Sequence, residues 1–208
     1  MAQTTSLLRM RRGNSTEGSN PSRSATFAGS LVRGPRNFFF IRRIFCMKTG
    51  LNLDDDERWM LLALDAAGKA ELNGDVPVGC VVIQPDHGLV ASAYNCREAV
   101  QDPTAHAEVL ALREASSRLG RWRLSDCTLY VTLEPCFMCA GALVNARVKR
   151  VVYAASDSKA GACGSLANVL SDARLNHRCE VSRGVLEEPA RLLLQSFFRA
   201  KRKKRTQE

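Results

Sequence analysis

Three candidate metal ligands that lie far apart in the chain constrain its fold most strongly. His106 is followed two residues later by Glu108, and Cys136 and Cys139 form a Cys-x-x-Cys pair about 30 residues downstream. Neutral imidazole and thiolate are the ligands that Zn²⁺ prefers. The tertiary fold must therefore bring these two segments together. Three protein ligands leave one coordination position for water, which is the arrangement of catalytic zinc sites.

A Cys-x-x-Cys pair also occurs in redox-active sites and in structural zinc sites that have four ligands. Six further cysteines offer a fourth ligand, namely Cys46, Cys80, Cys96, Cys127, Cys163 and Cys179. Glu108 favours the catalytic interpretation, because a metal-activated water needs a group that accepts its proton and later returns one. We therefore predict that His106, Cys136 and Cys139 bind the metal and that Glu108 is catalytic.

The basic character of the chain is confined to its two ends. The net charge is +9, but residues 54–198 carry 15 basic and 19 acidic side chains. Residues 1–53 carry nine basic side chains and one acidic side chain, and residues 199–208 carry six and one. The basic run at 201–205 suits the phosphates of an RNA, although a solvated tail that only improves solubility has the same composition. No run of 18 apolar residues is present, so no membrane-spanning helix is expected.

The chain divides into three parts by composition. Residues 1–53 are rich in Ser, Gly and Arg and are interpreted as a disordered or leader extension, as an organelle transit peptide, or as sequence upstream of an alternative start at Met47. Residues 54–200 are expected to form the folded domain, and residues 201–208 a basic C-terminal tail. Irregularly spaced cysteines favour a reducing compartment. A cytoplasmic protein is predicted, with an organelle as the alternative.

Hydrophobic periodicity predicts an alternation of helices and strands in the folded part. Acidic residues at 54–57 open the first helix, and Asn73-Gly74 ends it. Asp102-Pro103-Thr104 is expected to begin a second long helix. The predicted order is a helix to 72, a hairpin of strands 76–83 and 89–94, a helix to about 119, a strand 127–133, a helix that carries both metal-binding cysteines, strands 150–153 and 179–186, and a helix from 187 to about 201. This order predicts a three-layer α/β/α domain with a mixed five-stranded sheet.

Four segments of the chain resemble the bacterial tRNA-specific adenosine deaminases, within the cytidine-deaminase-like superfamily. They are VPVGCVV at 76–82, DPTAHAEVLALREA at 102–115, TLYVTLEPCFMCAGALVNARVKRVVYAA at 128–155 and DSKAGACGSL at 157–166. His-x-Glu followed by Pro-Cys-x-x-Cys is the pattern shared by zinc-dependent nucleobase deaminases. The resemblance implies a cytidine-deaminase-like fold, one Zn²⁺ per subunit and a homodimer. It also implies hydrolytic conversion of adenosine to inosine at the wobble position of a tRNA anticodon arm, with no membrane or DNA partner.

The same resemblance assigns two further site residues. Asn95 matches a family residue that contacts the target nucleoside, and Asp157 lies in a loop similar to one that touches the flanking RNA. Two other functions stay open, namely deamination of a free nucleobase or nucleoside such as guanine or cytidine, and a non-catalytic RNA-binding subunit on the same fold. The basic tail argues against the first alternative, and the intact Glu108 argues against the second.

Overall fold

A computed structural model describes residues 54–206, so the predictions for residues 1–53 lie outside the described part. The helices are α1 Asp55–Leu72, α2 Arg97–Val100, α3 Ala107–Leu119, α4 Phe137–Asn145 and α5 Glu187–Arg205. The strands are β1 Gly79–Gln84, β2 Gly88–Tyr94, β3 Thr128–Leu133, β4 Arg150–Ala155 and β5 Glu180–Arg183, and a 3-10 turn covers Val169–Ser171.

The five strands form one sheet in the order β2-β1-β3-β4-β5. Strand β1 is antiparallel to both β2 and β3, whereas β3, β4 and β5 run parallel to one another. The β1–β2 hairpin turns between Gln84 and Gly88, as predicted. Helix α4 makes the crossover between the parallel strands β3 and β4. The predicted mixed five-stranded sheet is therefore confirmed.

Each face of the sheet buries its own apolar core because neighbouring side chains of a strand point to opposite faces. On one face, Val81 and Val152 pack with residues of α1 and α5 such as Met60 and Ala190. On the other face, Val82 packs with residues of α3 and α4 and with the remaining members of a larger cluster. Helices thus cover both faces of the sheet, which confirms the three-layer α/β/α architecture.

The first helix begins and ends where its sequence predicts. The Asp54 carboxylate caps α1 by accepting a hydrogen bond from the backbone N–H of Glu57 at 2.7 Å. Asn73 follows its last residue. Helix α5 continues to Arg205, four residues beyond the predicted end at Lys201. The basic run at 201–205 therefore forms the last turn of an amphipathic helix.

The predicted start of the second long helix at Asp102 is wrong, because α3 begins at Ala107. The Asp102 carboxylate accepts hydrogen bonds from the backbone N–H and the hydroxyl of Thr104, both at 2.7 Å. An aspartate with these local bonds stabilises a turn, and the same residue types also cap helices. The later start places His106 just before the helix rather than in its first turn.

Within residues 54–206, no helix combines the length and the apolar character needed to cross a bilayer.

Candidate metal centre and substrate cleft

The first turns of two helices bring the candidate metal ligands together. His106 is the N-cap residue of α3, and Cys136 is the N-cap residue of α4. Both have extended backbone angles, and neither side chain makes a capping hydrogen bond to its own helix. Cys139 lies in the first turn of α4 and is fully buried. Neither side chain is thus engaged by its own helix, and both face the group of ligand atoms instead.

The distances between the ligand atoms fit tetrahedral zinc. His106 Nδ1 lies 3.8 Å from Cys136 Sγ and 3.6 Å from Cys139 Sγ. A tetrahedral ion with ordinary Zn–N and Zn–S bonds separates such nitrogen and sulfur ligands by about 3.6 Å. All three ligand atoms lie within 4.8 Å of one another. Within residues 54–206 this group has three members, so its composition matches a zinc site that keeps one position for water.

The electrostatics of the group favour the thiolate form that binds metal. Hydrogen bonds from the Cys139 thiol and from His106 lower the pKa of Cys136 to about 3. Cys139 retains its proton in this arrangement, because the bond to Cys136 and burial raise its pKa. The bond to Cys136 likewise raises the pKa of His106. A bound cation would replace the proton that the cysteine pair shares, which is the usual coupling between metal binding and proton release.

Glu108 lies beside these ligands at the second position of α3. Its side chain is only 4 % exposed, and burial is the main reason that its pKa is raised. Glu108 and His106 both line a cleft of about 730 Å³. A buried carboxyl group next to a metal ligand, with access to a substrate cavity, is placed to exchange protons with a bound substrate.

The cleft brings together the other predicted site residues as well. Asn95 follows β2, is 7 % exposed and lines the cleft together with Cys136. Asp157, in the loop after β4, lines the same cleft. The Asp157 carboxylate accepts hydrogen bonds from the backbone N–H groups of Lys159 and Ala160 at 2.9 and 3.3 Å. It therefore shapes its own loop, and its predicted contact with flanking RNA stays a prediction.

Glu134 is a site residue that the sequence reasoning did not identify. It is 2 % exposed, and its carboxylate accepts hydrogen bonds from the backbone N–H groups of Asp157, Cys163 and Ser165 at 2.9, 3.0 and 3.0 Å. The Ser165 hydroxyl donates a fourth bond. Gly161 packs against this carboxylate so closely that a Cβ would lie 2.4 Å from Glu134 Cδ. One buried carboxylate thus ties the loop 156–166 to the segment that carries the cysteines.

We expect Glu134→Gln to destabilise the protein by about 2–3 kcal/mol, because the new amide would point a donor at two existing donors in a buried site. Glu180→Gln makes the same charge change on an exposed side chain and should leave the free energy of unfolding nearly unchanged. Urea unfolding measures both variants. Hydrogen exchange at Cys163 and Ser165 should also become faster in Glu134→Gln, and equal stability of the two variants would contradict this role.

The lining of the cleft also contains basic and aromatic side chains. Helix α5 contributes Phe198, Arg199 and Arg202, and exposed Arg97 and Lys159 lie on other parts of the lining. Phe197, one residue away, is buried in the interior. Phe197 therefore belongs to the core, whereas the exposed ring of Phe198 lines the cleft. A cleft with cationic walls and an exposed ring suits a nucleotide with its phosphates.

The sequence is similar to known deaminases over nearly the whole described region. Residues 53–155 match the family described as the cytidine and deoxycytidylate deaminase zinc-binding region. The chain is 49% identical over 153 residues to the tRNA-specific adenosine deaminase of Bacillus subtilis strain 168, which covers 74% of this chain and 94% of that relative. For the tRNA-specific adenosine deaminase of Haemophilus influenzae, the identity is 44% over 150 residues, with 72% and 87% covered.

Solved structures show the same relationship. A chain from a study of A-to-I editing by tRNA:A34 deaminases at the wobble position of transfer RNA has a TM-score of 0.63 and 39% identity, and covers 66% of this chain and 99% of that chain. Guanine deaminase from Nitrosomonas europaea has a TM-score of 0.60 and 26% identity, with 74% and 91% covered. The fold is therefore shared with deaminases of different substrates, and the sequence is closer to those acting on tRNA.

Proposed function

This chain belongs to the tRNA-specific adenosine deaminases, and we propose that it hydrolyses the wobble adenosine of a tRNA anticodon to inosine. The observation that best supports an RNA substrate is the composition of the cleft lining. Basic and aromatic side chains of α5 face the same cavity as Glu108. A deaminase of a free nucleobase has no need of a phosphate-binding wall, which argues for a polynucleotide substrate.

One Zn²⁺ per subunit, held by His106, Cys136 and Cys139, is the cofactor that we propose. Its donor set and its N···S distances support this assignment. When bound, Zn²⁺ lowers the pKa of a coordinated water to about 7 and so supplies a nucleophile at neutral pH. His106, Cys136 and Cys139 would hold that ion, and His106 and Cys136 line the cleft that the substrate would enter.

Glu108 moves the protons of the reaction in this proposal. It accepts a proton from the attacking water and passes it to the ring nitrogen, and it then takes the proton of the newly formed hydroxyl group and passes it to the leaving amine. A C–O bond forms and the C–N bond breaks at the ring carbon that carries the amine. Adenosine and water are thereby converted to inosine and ammonia without any change of oxidation state. The buried position of Glu108 excludes bulk water from competing for these protons.

The target base must leave the anticodon stack and enter the cleft, which is easiest in an unpaired loop. We propose that Asn95 contacts the nucleoside there and that Asp157 lies beside the flanking nucleotides. The cationic groups of α5 then contact the phosphates.

The test of this function is inosine formation on two kinds of substrate. One is an anticodon stem-loop with adenosine at the wobble position, and the other is a panel of free adenosine, cytidine and guanine. We expect inosine in the stem-loop only, its loss after treatment with a zinc chelator, and its return with added Zn²⁺. Turnover of a free base without RNA editing would contradict the tRNA substrate, and silence on both kinds would favour a non-catalytic subunit.

Three further features complete the proposal. Residues 54–200 form the deaminase domain, with 1–53 as an extension and 201–208 as a basic end. A homodimer is proposed, and exposed Phe137 and Met138 in the first turn of α4 support it as apolar contacts beside the site. Sedimentation of the full chain tests the dimer.

The enzyme would act in the cytoplasm on RNA rather than DNA, unless residues 1–53 direct it to an organelle.

A further inference from the structure

A buried carboxylate that the proposed reaction does not use lies behind the cleft. Asp75 has no exposed surface and stands between α1 and β1. It accepts hydrogen bonds from the backbone N–H groups of Glu98 and Ala99 at 2.9 and 3.0 Å, so it caps α2 from outside that helix. Its third donor is the side-chain amide of Asn95, at 3.3 Å. Asp75 therefore joins a short helix at the mouth of the cleft to the residue assigned to the nucleoside.

These contacts determine which end of the Asn95 amide faces the cleft. Asn95 Nδ2 lies 3.3 Å from Asp75 Oδ1 and 3.4 Å from the carbonyl oxygen of Val76. A carboxylate and a carbonyl can only accept, so the NH₂ group must point at them, and both of its hydrogens are used. No group within residues 54–206 donates a hydrogen bond to Asn95 Oδ1. Every buried side-chain nitrogen or oxygen in that part of the chain has a hydrogen-bond partner, so Asn95 Oδ1 must be exposed. This oxygen consequently reaches the solvent of the cleft that Asn95 lines.

An acceptor facing the cleft selects the kind of group that it can bind. In an adenosine within an RNA chain, the ring nitrogens are acceptors and the 3′ and 5′ oxygens are phosphodiesters. The remaining donors are the exocyclic amine and the ribose 2′-hydroxyl. The amine is the leaving group and must lie beside Glu108 and the metal ligands. Only the 2′-hydroxyl is then left for Asn95, and this group distinguishes RNA from DNA.

We propose that Asp75 is a positioning residue that holds Asn95 as an acceptor for the 2′-hydroxyl of the target nucleotide, and that this contact favours RNA over DNA. The inference rests on the proposed function. It assigns the discrimination between ribose and deoxyribose to the buried pair Asp75 and Asn95.

The experiment compares three stem-loops that differ only at the wobble adenosine, which carries a 2′-hydroxyl, a 2′-hydrogen or a 2′-fluorine. The fluorine keeps an RNA-like sugar but cannot donate. With the wild-type enzyme, kcat/KM should fall by about 10- to 100-fold on both altered substrates. Asn95→Ala should lose a similar factor on the ribose substrate and should then treat all three substrates alike.

Asp75→Asn tests the positioning role, since it would turn an NH₂ group towards existing donors and release the Asn95 amide. We expect the ratio of ribose to deoxyribose activity to collapse in this variant, and Asp75→Asn to have no further effect on that ratio in an Asn95→Ala background. Asp56→Asn is the matched control, because Asp56 bonds Arg150 and Tyr130 away from the cleft. Its activity should fall, if at all, equally on all three substrates.

The outcomes separate this inference from the proposed function. Wild-type editing of all three stem-loops at equal rates would overturn the 2′-hydroxyl contact while leaving the tRNA substrate in place. A uniform loss in Asp75→Asn with an unchanged ratio, at equal zinc content, would reduce Asp75 to a purely structural residue. If Asp75→Asn does not fold, the activity of Asn95→Ala on the three substrates still tests the contact between Asn95 and the 2′-hydroxyl. No editing of the ribose stem-loop by the wild-type enzyme would overturn the proposed function itself.

Discussion

Replacing Glu108 by Gln is expected to lower kcat on a wobble-adenosine stem-loop by about two to four orders of magnitude, because this is the usual contribution of a positioned proton-transfer group. The amide has nearly the same size as the carboxyl group but cannot accept and return protons. The change removes none of the three candidate metal ligands. The variant should therefore retain about one zinc per chain and a normal melting temperature.

The matched control is Glu114→Gln, which makes the same chemical change on the same helix. Glu114 forms an ion pair with Arg118, and its side chain is 33 % exposed. Because it lies outside the cleft lining, its loss should leave kcat within a few-fold of the wild-type value. Single-turnover measurements of inosine and metal analysis of the same samples provide both readouts. Near wild-type turnover in Glu108→Gln would show that another group moves the protons, and loss of zinc would show that Glu108 mainly supports the metal site.

The grouping of His106, Cys136 and Cys139 was predictable because its information is local in the sequence. Residue types and short spacings around His106 and Cys136 define the donor chemistry whatever the rest of the chain does. The alternation of apolar residues likewise predicted the sheet and both layers of helices. The start of α3 was mispredicted because Asp-Pro-Thr is compatible with both a helix cap and a turn, and only the neighbouring structure decides between them.

The residues that support the site could not be found in this way. Glu134 accepts its hydrogen bonds from residues 157–165, and Asp75 binds Asn95 and the first turn of α2. These partners are distant in sequence, and no motif marks them. A weak signal was present for Glu134, because an acidic residue between a buried strand and Pro135 is unusual unless its carboxylate is bonded. Asp75 is buried only because α1 packs against β1, and this packing has no local signal in the sequence.

The packing of α1 on β1 leads to the largest expected effect on stability, in Gly79→Ala. A Cβ at Gly79 would lie 2.0 Å from the carbonyl oxygen of Ala63 and 2.4 Å from the backbone nitrogen of Ala67. Overpacking usually destabilises by about 1–3 kcal/mol, and here the neighbours are backbone atoms within a helix, so α1 must move as a unit. We expect a loss of about 3 kcal/mol or more in urea unfolding.

Gly141→Ala is the control for this prediction, because Gly141 lies inside α4 and no atom outside its own stretch of helix lies within 4 Å of the added Cβ. There the change should be neutral or stabilising by up to about 1 kcal/mol, since alanine favours helices over glycine. Trimming Ala63 to glycine in the Gly79→Ala protein should not restore stability, because the clash is with the main chain. Rescue by that second change, or equal stability of Gly79→Ala and the wild type, would mean that α1 and β1 are further apart.

Gly79 directly follows Val78, whose carbonyl oxygen accepts a hydrogen bond from the backbone N–H of Asn95. Displacement of this strand should therefore also weaken the discrimination between ribose and deoxyribose that we assign to Asn95. The tight contact between helix and strand thereby connects the stability of the core to the recognition of the nucleotide.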